Sequence, residues 1–170
     1  VPDRQRPDVG DASEGRLETA IHQLTEAGAL WQGAALADVP DTPTVGLEKT
    51  RLEQARLSVL EARLGTQLKI GRHEEVVDEL AQLVEENPLR ERLRAQLMLC
   101  LYRCGHRAEA LETYRRGRRV LIDELGLEPG PELRRLEQGI LRGSEELTAP
   151  DRTAAPVARP VAARNARAAL

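Results

Sequence analysis

The chain has 170 residues, enough for one domain with a true core or for two very small ones. Phe is absent and aromatics make up 2% of the chain, so the interior must be built from Leu, Val, Ile and Ala; with 31% charged residues, this favours amphipathic helices over strands. The formal net charge of -3 lacks the basic excess that would mark the whole chain as a nucleic-acid binder.

No run approaches the roughly 18 apolar residues of a membrane span, and Val1 to Arg6 has no apolar core of a signal peptide, so a cytoplasmic location is expected. Cys100 and Cys104 lie four apart in one helical pattern, which is awkward geometry for a bridge and gives no disulfide framework.

Residues 1–10 are polar and carry Pro2, Pro7 and Gly10, and read as a flexible lead-in. The ordered domain is expected over residues 11–143. A helix begins with Asp11 as N-cap and Glu14 in capping-box position, and Leu17, Ala20, Ile21, Leu24 and Ala27 share one face. Gly15 and Gly28 each weaken it by about 1 kcal/mol relative to Ala, so it needs tertiary packing. Ala34 to Val45, with Pro40 and Pro43, reads as a loop. A second helix is predicted from about Leu47 to Ile70, stopped by Gly71, and a third over His73 to Glu86.

Asn87-Pro88 then reads as a cap followed by a proline at the first position of a fourth helix, which carries Leu89, Leu93, Leu97, Cys100, Leu101 and Cys104. The fifth carries Ala108, Leu111, Tyr114, Leu121 and Leu125 and ends at Gly126. Glu128 to Pro131 is a hard break before a last helix with Leu133, Leu136, Ile140 and Leu141. After Gly143 the apolar pattern fails, and residues 144–170 read as a disordered Ala/Pro/Arg-rich linker or tail.

Gly71 and Gly105 stand 34 positions apart, each closing one helix and opening the next. At that offset Glu75 meets Glu109, Val76 meets Ala110 and Leu80 meets Tyr114. Helix pairs of this period are the mark of tetratricopeptide repeats, whose hairpins stack because one hairpin cannot cover its own apolar stripe. An ordinary antiparallel bundle would also space glycine stops at similar intervals, but without the matching small and aromatic positions. Gly117 falls where two helices would need to approach closely, and Ile122 stands where the second unit should have the counterpart of Pro88. The expected fold is all-α, a tetratricopeptide-repeat-like α-α superhelix of about six helices.

An ordered series of motifs carries a resemblance. It includes Leu30-Trp31-Gln32-Gly33, Gly71-Arg72-His73-Glu74, Glu86-Asn87-Pro88-Leu89-Arg90-Glu91-Arg92-Leu93, and Gln96 to Gly105. It continues through Ala108-Glu109-Ala110-Leu111 to Glu124-Leu125-Gly126-Leu127-Glu128-Pro129-Gly130-Pro131-Glu132-Leu133. In these pieces the chain resembles the bacterial transcriptional activator domain of the Streptomyces antibiotic regulatory protein family. The resemblance implies a tetratricopeptide-like fold, a role in transcriptional control of secondary metabolism, self-association, and contacts with RNA polymerase subunits. It also implies a winged-helix DNA-binding domain ahead of this one. Nothing upstream of Asp11 supplies such a winged helix, so DNA contact is expected only through a domain outside this sequence, as in a fragment of a longer regulator.

Three groups of residues invite a chemical role. Cys100, Cys104 and His106 form an incomplete ligand set for a structural zinc, which wants four; the thiols align with Leu93 and Leu97, as small core residues do. Arg115, Arg116, Arg118 and Arg119 form the densest basic cluster, a possible partner-contact patch or else a solvated face offset by Glu109, Glu112 and Asp123. Trp31 reads as a core plug or as an exposed anchor for a partner. No nucleophile–base pair, glycine-rich phosphate loop or H-E-x-x-H occurs, so neither catalysis nor a cofactor is expected. The function expected is protein interaction within a transcriptional regulator. The alternatives are a tetratricopeptide-like adaptor or regulatory arm of a signalling NTPase, and a direct nucleic-acid binder using the arginines and basic tail.

Overall fold

A computed structural model describes residues 9–148, apart from Gln32, Ala34, Leu36, Ala37 and Asp41. Among the described residues there are six α-helices and one short 3-10 turn, with no strand. The helices are α1 (Val9–Ala29), α2 (Pro43–Lys69), α3 (His73–Glu86), α4 (Glu91–Arg103), α5 (Arg107–Leu125) and α6 (Pro131–Arg142), and the 3-10 turn is Glu145–Leu147. Among the described residues no helix is long and apolar enough to cross a membrane.

The helices stack as consecutive hairpins, a tetratricopeptide-like α-α superhelix. The central helix α4 packs against α2, α3, α5 and α6, whereas α1 is held chiefly by α2. The core follows that order: Leu64 and Leu68 from α2, Val76, Leu80 and Val84 from α3, Leu93, Met98 and Cys100 from α4, Ala110 and Tyr114 from α5, and Leu133 and Ile140 from α6. Residues matched by the 34-residue repeat share a fate: Val76 with Ala110, and Leu80 with Tyr114, are all buried.

The repeat is also written in the backbone. Gly71 and Gly105 adopt φ of 81° and 84°, in the left-handed region that only glycine enters freely. Around each, the same bonds recur at +34. Ile70 N donates to Thr66 O and Cys104 N to Cys100 O; Gly71 N donates to Leu68 O and Gly105 N to Tyr102 O; Arg72 N donates to Gln67 O and His106 N to Leu101 O. These bonds satisfy the carbonyls that a helix end leaves open. A third copy closes α6, with Gly143 N on Ile140 O and Ser144 N on Gly139 O, now 38 positions after Gly105. The extra residues fall mostly in α5, which has 19 residues against 14 in α3. This is why Ile122 stands in place of a proline.

Several boundaries differ from the sequence reading. Helix α1 begins at Val9, so Asp11 lies inside it rather than capping it. Pro43, read as loop, is the first residue of α2: Thr42 caps that helix by accepting from Val45 N at 3.3 Å, and proline costs nothing where no intrahelical donor is needed. Pro88 does not open α4. Asn87 instead closes α3, its backbone N and its Nδ2 both donating to Leu83 O, and a turn from Arg90 N to Asn87 O delays the next helix to Glu91. The chain stays ordered past Gly143 through Thr148, because Leu147 packs on Gly139 and its carbonyl accepts from Arg103. Residues 1–8 of the expected lead-in and 149–170 of the expected tail lie outside the described residues. Trp31 is partly buried and lies outside the main core cluster.

Candidate protein-binding grooves

The four arginines expected as a contact patch divide between two acids. Arg115, Arg116 and Arg119 gather around a single acid: Glu112 lies 3.3, 3.8 and 3.4 Å from them respectively. Arg118 points the other way and makes a two-pronged bond to Glu128, at 2.8 and 2.6 Å. That bond holds the Glu128 carboxyl below, and the Arg118 guanidinium above, their ordinary ranges. All four side chains remain about half to two-thirds exposed, and their two acid partners, Glu112 and Glu128, offset half of their charge.

Two of them, Arg116 and Arg119, border a groove between α3 and α5. It comprises two adjoining cavities of about 320 Å³ each. Val77, Val84, Leu97 and Leu101 form an apolar floor, and Asp78, Glu85, Glu109 and Asp123 give the rim an acidic character. Arg94, at 5% exposure, lines both cavities. Its Nη2 donates to Pro88 O at 2.8 Å and its Nη1 to Thr113 O at 3.3 Å, which ties the α3–α4 turn to α5. Burial lowers its pKa; Glu85 and Glu91 counteract this, while Arg116 adds to it. The sequence marked Gly117 as a point of close helix approach. The structure shows that what approaches is the Arg94 side chain, which fills the space a β-carbon on Gly117 would need.

A second groove, of about 390 Å³, crosses α2, α4 and α6 on the other side of the stack. Leu99 and Leu136 line it, with Lys69, Arg92 and Glu132 exposed around them. Its wall is pinned where Gln96 Nε2 donates to Glu61 O at 2.9 Å, and Gly65 leaves room for that amide. Glu61 is 3% exposed, its Oε1 has no hydrogen-bond donor among the described residues, and Arg90 Nε stands 3.8 Å away. Nothing in the sequence marks Glu61 or Arg94 except their position: each is a charge inside an apolar face, beside Leu60 and Leu64 or Leu93 and Leu97.

The thiols are packing groups. Cys100 is fully buried and its Sγ lies 3.0 Å from His73 O; burial, with Cys104 next, pushes its pKa up to about 12. His106 turns to Glu109, Nδ1 to Oε1 at 2.9 Å, rather than to the cysteines. Among the described residues no three His, Cys, Asp or Glu side chains could hold a metal ion together.

A stack of helical hairpins with an apolar-floored groove on each side defines a helical-repeat domain. The chain matches the bacterial transcriptional activator domain family over residues 5–141 and belongs to that family. It is 50% identical over 148 residues to the regulatory protein AfsR of Streptomyces griseus, covering 87% of this chain and 15% of that protein. It is 43% identical over 128 residues to the regulatory protein DnrI of Streptomyces peucetius, covering 75% of this chain and 47% of that protein. Among solved structures it is similar to Mycobacterium tuberculosis EmbR in complex with a low-affinity phosphopeptide, with a TM-score of 0.74, 35% identity, and coverage of 84% of this chain and 37% of that one. The chain thus spans less than half the length of these relatives, all of which are regulators. It is a domain of the Streptomyces antibiotic regulatory protein type, the kind found in transcriptional regulators.

Proposed function

We propose that this domain is the docking part of a transcriptional activator, binding RNA polymerase subunits or a second protomer while a winged helix elsewhere in the parent regulator reads the promoter. It works by association rather than by catalysis. The supporting observation is the α3–α5 groove, where an apolar floor with a charged rim offers a partner both buried area and orientation. The buried charges near the grooves are committed to the fold: Arg94 holds two carbonyls and Glu61 stands behind Arg90.

Retention of purified polymerase subunits on the immobilised chain tests the reading, together with sedimentation of the chain alone. Ala81→Arg blocks the α3–α5 groove from an exposed position and should abolish retention or self-association with no change in the helical signal. A chain that stays monomeric and retains no subunit at low salt would overturn the proposal.

A further inference from the structure

The α3–α5 groove carries more negative charge than its own arginines answer. Five acids line it, Asp78, Glu85, Glu109, Glu112 and Asp123, against three arginines. Arg116 and Arg119 share Glu112, and Arg94 is bound to Pro88 O and Thr113 O. The α3 wall is acidic throughout, since His73–Glu86 contains six acids and no Lys or Arg. Glu79 is bound to Arg63, but Asp78 and Glu85 are exposed and form no ion pair among the described residues. Glu85 acts on Arg94 only through its field. Glu85 and Glu86 also occupy the last turn of α3, where the helix dipole disfavours negative charge. This wall therefore holds repulsion that a cation would relieve.

We propose that this groove takes a lysine- or arginine-bearing amphipathic helix of another polypeptide. Its apolar stripe would lie on Val77, Val84, Leu97 and Leu101, and its bases on Asp78 and Glu85. The inference rests on the docking role proposed above and names the chemistry of the partner. The dimensions agree. Helices α3 and α5 each pack on α4, so the space between them is floored by Leu97 and Leu101 of α4. Asp78 and Glu85 stand seven residues apart on one face of α3, two turns or about 10.5 Å at 1.5 Å per residue. A helix lying alongside α3 presents bases at the same spacing from positions i and i+7. Ala81 between them is small and exposed, which leaves the wall open to close approach. Charges at a rim add specificity and speed of encounter more than affinity, so the apolar floor holds the partner while the acids select it.

Two fluorescein-labelled helical peptides sharing one apolar stripe test this by fluorescence anisotropy with the full chain. One carries lysines at the flanking i and i+7 positions, the other glutamates. The lysine peptide should bind, more weakly as salt rises, and the glutamate peptide should not. Asp78→Lys with Glu85→Lys should weaken the lysine peptide by about tenfold or more and admit the glutamate peptide. Both positions are exposed, so the helical signal should be unchanged. Ala81→Arg should exclude the lysine peptide. Binding of both peptides alike, of neither, or of the lysine peptide regardless of the double charge reversal would overturn the proposal. Loss of the peptide as the chain self-associates would also overturn it, by giving the groove to a second copy. Polymerase subunits retained through Ala81 but indifferent to the double reversal would end this inference and leave the docking role standing.

Discussion

Arg94 passes through the space that a side chain on Gly117 would fill. A β-carbon at Gly117 would overlap the Cδ and Nε of Arg94, whose guanidinium runs on to Pro88 O. Helix α5 thus accepts a glycine in its interior, against a propensity cost of about 1 kcal/mol, so that α4 can send a charge across to the turn after α3.

Gly117→Ala should therefore destabilise the domain by about 1–3 kcal/mol, the usual result of overpacking, although Ala is the better helix former. In an Arg94→Ala background the same change should become neutral or stabilising. Urea midpoints of the four proteins give the coupling. Additive effects would show that the two residues do not share this space.

The glycines should divide by sign. Gly105 has φ of 84°, and Gly105→Ala should cost about 1–2 kcal/mol for a left-handed non-glycine residue. Gly15 lies inside α1 with open space where its β-carbon would point, so Gly15→Ala should add about 0.5–1 kcal/mol. Thermal unfolding of the two variants under one set of conditions checks the contrast.

Cys100 should resist alkylation. Its folded pKa of about 12 exceeds its ordinary value of 9, so at pH 8 the folded chain holds almost no thiolate there. The sign for stability follows: the protonated thiol is favoured by the fold, its contribution is complete below pH 9, and it is lost as pH rises from 9 towards 12. Iodoacetamide labelling read by mass spectrometry should show Cys100 modified only with global unfolding.

Arg103→Met should free the end of the described chain. It removes the donors to Leu68 O and Leu147 O, leaving part-buried carbonyls at a cost of about 1–3 kcal/mol. Limited trypsin digestion should cut after Arg142 sooner than in the parent, with the rest of the domain intact. Unchanged cleavage would mean that Leu147 is held by its side chain alone.

The sequence carried the architecture because the repeat is written twice. The apolar spacing set the helices, and the glycines at 71 and 105 set the period, so the stack could be read without coordinates. Proline was the weak signal. Pro43 and Pro88 each follow a small polar residue, yet Thr42 caps the helix ahead of it while Asn87 bonds back to Leu83, and only the geometry separates the two. The arginine cluster was visible as charge, but Glu112 and Glu128 offset it from one and two turns away or across a loop. Arg94 and Glu61, which shape the grooves, are marked in the sequence only by standing in an apolar face, and what they bond to appears only when the hairpins close over them.

The third helix cap arrives 38 positions after the second, where the second followed the first by 34. The lengthening falls in α5, which has 19 residues against 14 in α3, while α6, with 12 against 13 in α4, is slightly shorter. Five residues extend a helix by about 7.5 Å at 1.5 Å each. A tandem array of this kind can therefore lengthen every other helix while the helices between them keep their size, which lets a lineage reshape one outward face without re-cutting the interior.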